Sequence, residues 1–115
     1  MVDRLNDKWL RKHFDAFNDM YFYGRIPSSV IIKFGDSGKN NNGVYDLKTK
    51  TITIEEHNKD RKNVRYIKID LIHEMAHAYL DVDGYVGHEV DPLHGTRFKG
   101  EICRLWNIGA YDGLL

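Results

Sequence analysis

His73-Glu74-Met75-Ala76-His77 is an H-E-x-x-H run. Two histidines four apart on a helix project from the same face, one turn from each other. That spacing lets both imidazoles reach one Zn²⁺ ion, and the glutamate between them can reach a water bound to that ion and act as general base. The residue types suit the chemistry. Imidazole holds zinc and leaves a coordination position open, while a carboxylate takes the proton from the water. On a helical wheel Asp70, His73, Glu74, His77 and Asp81 share one stripe about 100° wide, and the other positions from Ile69 to Val82 are Leu, Ile, Met, Ala, Tyr or Val. A polar stripe that narrow belongs to a helix packed on several sides and lining a groove.

Such a zinc site takes a third protein ligand. The downstream candidates are His88, Glu89, Asp91 and His94. His94 is preferred, because it precedes a predicted helix and Gly95 lets the backbone turn sharply beside a metal. His88 is flanked by Gly87 in a loop-like stretch and is the main rival. Asp70 and Asp91 are candidates for holding an imidazole tautomer from outside the ligand set.

The elements that must position these residues can be read around them. Asp3 to Tyr23 has a helical apolar stripe of Leu10, Phe14, Phe17 and Tyr21, widened by Trp9 and Met20, and Gly24 and Pro27 close its exit. Val30–Phe34, Gly43–Leu47 and Thr51–Glu55 read as strands, the last two joined as a hairpin through Lys48-Thr49-Lys50. Asp36 to Gly43 is a loop by composition. The zinc helix spans Val64 to Val82. A last helix starts near Thr96, with Phe98, Ile102, Leu105 and Trp106 as its buried face and Gly109 past its end. The order predicts an α+β fold with an N-terminal helix, a small three-stranded sheet, the H-E-x-x-H helix and a C-terminal helix.

The bulk numbers narrow the field. A chain of 115 residues is the size of one domain, so residues 1–115 are read as a single unit. Lys+Arg and Asp+Glu both number 17, which argues against strong non-specific attraction of the whole surface to nucleic acid or lipid. One local basic cluster remains: Lys59, Arg61, Lys62, Arg65 and Lys68. Cys103 is the only cysteine, which excludes an intrachain disulfide and a four-cysteine zinc ribbon, and it is expected to be a small packed residue. The sequence contains neither a secretory apolar segment at its start nor a run long enough to span a bilayer, so an intracellular, cytoplasmic location is expected.

Four segments together resemble the SprT-like domain, the protease domain shared by SprT proteins and the Spartan proteases. Tyr21-Phe22-Tyr23-Gly24-Arg25-Ile26-Pro27 is similar to the family's exit from its first helix. Gly43-Val44-Tyr45-Asp46 with Thr51-Ile52-Thr53-Ile54 is similar to its hairpin. His73-Glu74-Met75-Ala76-His77-Ala78-Tyr79 resembles its zinc helix, and His94-Gly95-Thr96-Arg97-Phe98 its His-Gly-x-x-Phe segment. The resemblance runs from about Leu5 to Trp106. It implies a zincin-like fold, one zinc held by three histidines, Glu74 as catalytic base, a protein or peptide substrate and, for several relatives, proteolysis of proteins crosslinked to DNA. The cysteine ribbon or basic tail that many relatives carry after this domain has no counterpart in these 115 residues.

Two functions from different classes follow. One is a zinc endopeptidase, with weak DNA contact through the basic cluster. The other is a nucleic-acid-binding or interaction module whose zinc is structural. No oxyanion-stabilising side chain can be assigned, although Tyr45 and Tyr111 are conceivable.

Overall fold

The computed structural model describes residues 5–38, 40–61, 63–82 and 96–115. Among these the chain is α+β, with four helices and a three-stranded sheet. The elements are α1 (Asp7–Tyr21), β1 (Ile31–Gly35), β2 (Gly43–Asp46), β3 (Thr51–Glu55), α2 (Asn58–Arg61), α3 (Val64–Val82) and α4 (Thr96–Asn107). No helix among the described residues is long and apolar enough to cross a membrane.

Helix α1 begins at Asp7 and not at the expected Asp3, because Asn6 is its N-cap: the Asn6 side-chain oxygen Oδ1 accepts the Trp9 backbone N–H at 2.8 Å. It ends at Tyr21, two residues before the expected Tyr23, and Gly24 closes it as expected, at φ +68° and donating to the Asn18 carbonyl. Buried Asn18 then binds both the N–H and the C=O of Ile26, which fixes the chain's exit from the helix. Leu10, Phe14 and Phe17 are buried, but Met20 is exposed and lies outside the apolar stripe.

The strand order is β1-β3-β2. The β2–β3 hairpin is antiparallel, with Tyr45 opposite Ile52, whereas β1 runs parallel to β3. Central β3 is buried from Thr51 to Ile54. The two edges differ. On β1, which packs against α1, the Phe34 N–H is taken by the Asp7 carboxylate at 2.9 Å. Strand β2 lies against α3. Helix α3 packs on β2, β3, α1 and α4, and buries Ile67, Leu71, Ile72, Met75, Ala76, Ala78 and Leu80. An apolar face that wide is what the narrow polar stripe predicts.

Helix α4 turns differently from expectation. Phe98 and Leu105 are buried and Ile102 partly so, but Trp106 is 59% exposed and Cys103 is exposed as well. Their places on the buried face are taken by Glu101, whose carboxylate grips Arg104; the same guanidinium donates to the Tyr21 carbonyl at 2.8 Å and sits near the rings of Phe22, Tyr23 and Tyr79.

The asparagine-rich loop before β2 is anchored by Glu55. Its carboxylate accepts the N–H and hydroxyl of Ser37 and the N–H of His57, each at 3.1 Å. Those bonds, the His57 N–H foremost, hold its pKa down at about 2, against an ordinary 4.5. A depressed carboxylate pKa stabilises the fold above the unfolded value and loses that effect as pH falls through the folded one. Glu55→Gln should therefore lower the melting temperature at pH 7. The gap to wild type should shrink between pH 4.5 and about 2, as thermal melts across that range will show.

Candidate active site

His73, Glu74 and His77 lie in the middle of α3, and the fold turns them toward the edge strand. A cleft of about 320 Å³ separates α3 from β2 and the loop before it. Asp70, His73, Glu74 and His77 form one wall, and Asn40 to Tyr45 the other. Four of the five residues in the predicted polar stripe thus meet in one place. The fifth, Asp81, sits at the end of the helix and ties it to the strand: the Tyr45 hydroxyl and the Lys50 ammonium both donate to its Oδ2 at 2.6 Å. Tyr45 is buried, and burial, followed by the Asp81 carboxylate, raises its phenol pKa. Its proton is committed to Asp81, so Tyr45 sets the position of strand against helix and is not a free oxyanion donor.

The two imidazoles are neighbours, with ring centroids 5.2 Å apart and planes at 74°. Phe98 of α4 packs against both. It stacks on His77 at 4.1 Å and 14°, and meets His73 at 4.9 Å and 63°. A flat, rigid ring against each imidazole restricts its rotamers, so α4 orients the pair. The sequence marked Phe98 as a core residue and as part of the His-Gly-x-x-Phe segment, but gave no sign of this contact.

Glu74 is buried, with Oε2 4.0 Å from His73 Nε2. Burial first, and the neighbouring Asp70 charge second, push its carboxyl up to about 7. A carboxyl in that range exchanges a proton readily near neutral pH, as a general base must. Its position depends on Gly43. A Cβ there would come within 3.1 Å of Glu74 Cγ and 3.2 Å of the Thr53 carbonyl oxygen. The absent side chain lets the strand lie directly on the glutamate. Sequence reading took Gly43 only as the start of a strand.

Two imidazoles one turn apart beside a carboxyl suit a zinc ion as two of its three protein ligands. Among the described residues no group of three His, Cys, Asp or Glu side chains is arranged to hold a metal. All four candidates for the third ligand, His88, Glu89, Asp91 and His94, lie outside the described residues, as does Lys62 of the basic cluster. Of the other basic residues, Lys59 is folded over the Phe34 ring at 4.6 Å, Lys68 is half-buried and adds to the burial that chiefly lowers the pKa of His13, and Arg65 is exposed.

The model of the SprT-like family matches residues 10–108. No curated protein and no solved structure matches the chain.

Proposed function

This chain belongs to the SprT-like family, and we propose that it is a zinc-dependent endopeptidase of zincin-like fold whose catalytic base is Glu74. The observation that carries this reading is the cleft itself, which gathers His73, Glu74 and His77 against a strand that, among the described residues, has a strand neighbour on one side only. His73 and His77, with His94 as the third ligand, would hold the ion. When bound, zinc makes a water acidic and polarises a carbonyl. The remaining work falls to the chain. The outer edge of β2 takes an extended peptide by main-chain hydrogen bonds, which lays the peptide across the histidines. Glu74 accepts the proton of the attacking water at a carboxylate oxygen and returns it to the leaving amine nitrogen. Phe98 keeps the imidazoles oriented, and the Tyr45–Asp81–Lys50 bonds keep the strand at its distance from α3.

Elemental analysis of purified, zinc-replenished protein should give one zinc per chain, and cleavage of denatured protein substrates should stop with a chelator and return with zinc. Protein that holds no metal sinks the proposal. Protein that holds zinc yet cleaves nothing across a broad panel shifts the balance to a binding module with structural zinc.

We place DNA-associated or DNA-crosslinked proteins among the substrates. The contact surface would be the basic cluster near the start of α3, reduced by Lys59, whose ammonium lies over Phe34. A few phosphate contacts give weak, salt-sensitive binding with no base readout. Reversing the charges at Arg61, Lys62 and Arg65 should abolish DNA binding in a gel-shift assay and leave zinc content unchanged. Tight binding that persists at high salt, or that survives the reversals, puts the contact elsewhere.

A further inference from the structure

A second, larger cavity opens on the other side of His73. The groove between α3 and α4 has a volume of about 600 Å³ and is walled by Ile69, Phe98, Ile102, Trp106, Tyr111 and Leu115. Its lining is almost wholly aliphatic and aromatic. Among the described lining residues, Lys99 is the one whose side chain carries a formal charge at neutral pH. Trp106 and Leu115 are 59% and 68% exposed, so the groove holds apolar surface ready to be covered. His73 lines this groove and the polar cleft alike. The two spaces therefore meet at one imidazole of the candidate metal pair.

We propose that this groove is the specificity subsite of the protease, taking one large apolar side chain of the substrate, leucine- or phenylalanine-sized, next to the bond that is cut. The inference rests on the endopeptidase reading. A peptide laid along β2 with its scissile carbonyl at Glu74 carries its next residues past His73, since an extended chain advances about 3.3 Å per residue. A side chain there has the polar cleft on one side and the apolar groove on the other. Burial against Ile69, Ile102 and Trp106 favours a hydrocarbon side chain, and Lys99 disfavours lysine and arginine. An acidic side chain would have to give up its water among rings and methyl groups, with a single ammonium in return.

The test uses the zinc-loaded full chain and a set of peptides identical except at one position flanking the cut, occupied by Ala, Leu, Phe, Asp or Lys. Leu or Phe should exceed Ala in kcat/KM by about 10- to 100-fold, the scale of burying such a side chain, with Asp and Lys below Ala. Ile102→Trp, which fills the groove, should move the preference toward Ala without changing zinc content. Trp106→Ala, on the exposed wall, should weaken the preference for Phe in the same assay. Binding is read separately in Glu74→Gln protein, where the Leu and Phe peptides should shift Trp106 emission to the blue, the Ala and Asp peptides should not, and Trp106→Phe should remove the signal. An emission shift from wild-type-like protein that cleaves nothing keeps the groove and overturns the protease reading. Cleavage without side-chain preference and without an emission shift overturns the groove and keeps the protease. Neither cleavage nor shift overturns both. An emission shift that follows protein concentration and not peptide assigns the groove to a second copy of the chain, and overturns the subsite.

Discussion

Glu74→Gln should leave the fold and the zinc content as they are and reduce peptide cleavage by about 10²- to 10⁴-fold, the range for loss of a general base. The amide is nearly isosteric with the carboxyl. It fits the space that Gly43 leaves open, where the strand lies too close for a larger group. Burial and the Asp70 charge both work against a charged side chain at this position in the metal-free chain, so glutamine should cost little stability there. What it cannot do is accept a proton. Zinc content, a thermal melt and the cleavage rate of a denatured protein substrate, taken on the same preparation, separate these effects. Cleavage as fast as wild type removes Glu74 from the mechanism. Loss of zinc along with activity makes the residue a support of the site and not its base.

Helix α3 was the most legible part of the sequence, for a physical reason. Its buried residues surround the polar stripe on both sides, so periodicity alone sets where α3 runs and which face meets the cleft; its observed bounds, Val64–Val82, are those expected. Surface helices are harder. At about 100° per residue, Glu101 and Leu105 fall on one side of Phe98, and Ile102 and Trp106 on the other. Hydrophobicity favours the side with the tryptophan. The fold buries the other, because Arg104 neutralises Glu101 and anchors it beside Tyr21. That reversal leaves Trp106 and Cys103 at the groove. Sheet order was equally hidden. The β2–β3 hairpin follows from its short connection, but the parallel pairing of β1 with β3 depends on contacts distant in sequence. The roles of Gly43 and Phe98 are also tertiary. One is a missing Cβ against a side chain 31 residues later (74 − 43), the other a ring from a separate helix between two histidines.

The histidines give the other large effect. His73→Ala and His77→Ala should each abolish zinc retention through gel filtration, and with it all cleavage. Removing a direct ligand costs more than the roughly 10- to 100-fold in affinity lost with an outer-shell partner. The two should differ in stability. His77 is buried and stacked flat on Phe98, so its truncation also opens a cavity between α3 and α4, whereas His73 keeps 38% of its side chain exposed. Measured without metal, His77→Ala should melt below His73→Ala; equal melts would mean that the Phe98 stack adds little to packing. Cavity loss and metal loss can be told apart with His77→Phe, which refills the space and still binds no zinc. The third ligand is decided by the same assay. If His94 holds the ion, His94→Ala should lose zinc as completely as the two helix variants, while His88→Ala keeps it. The reverse order transfers the role to His88, and zinc retained in both variants hands it to Glu89 or Asp91. A carboxylate there would replace a neutral imidazole with a negative charge on the ion, drawing off part of its pull on a bound water, and so would require more of Glu74 as base.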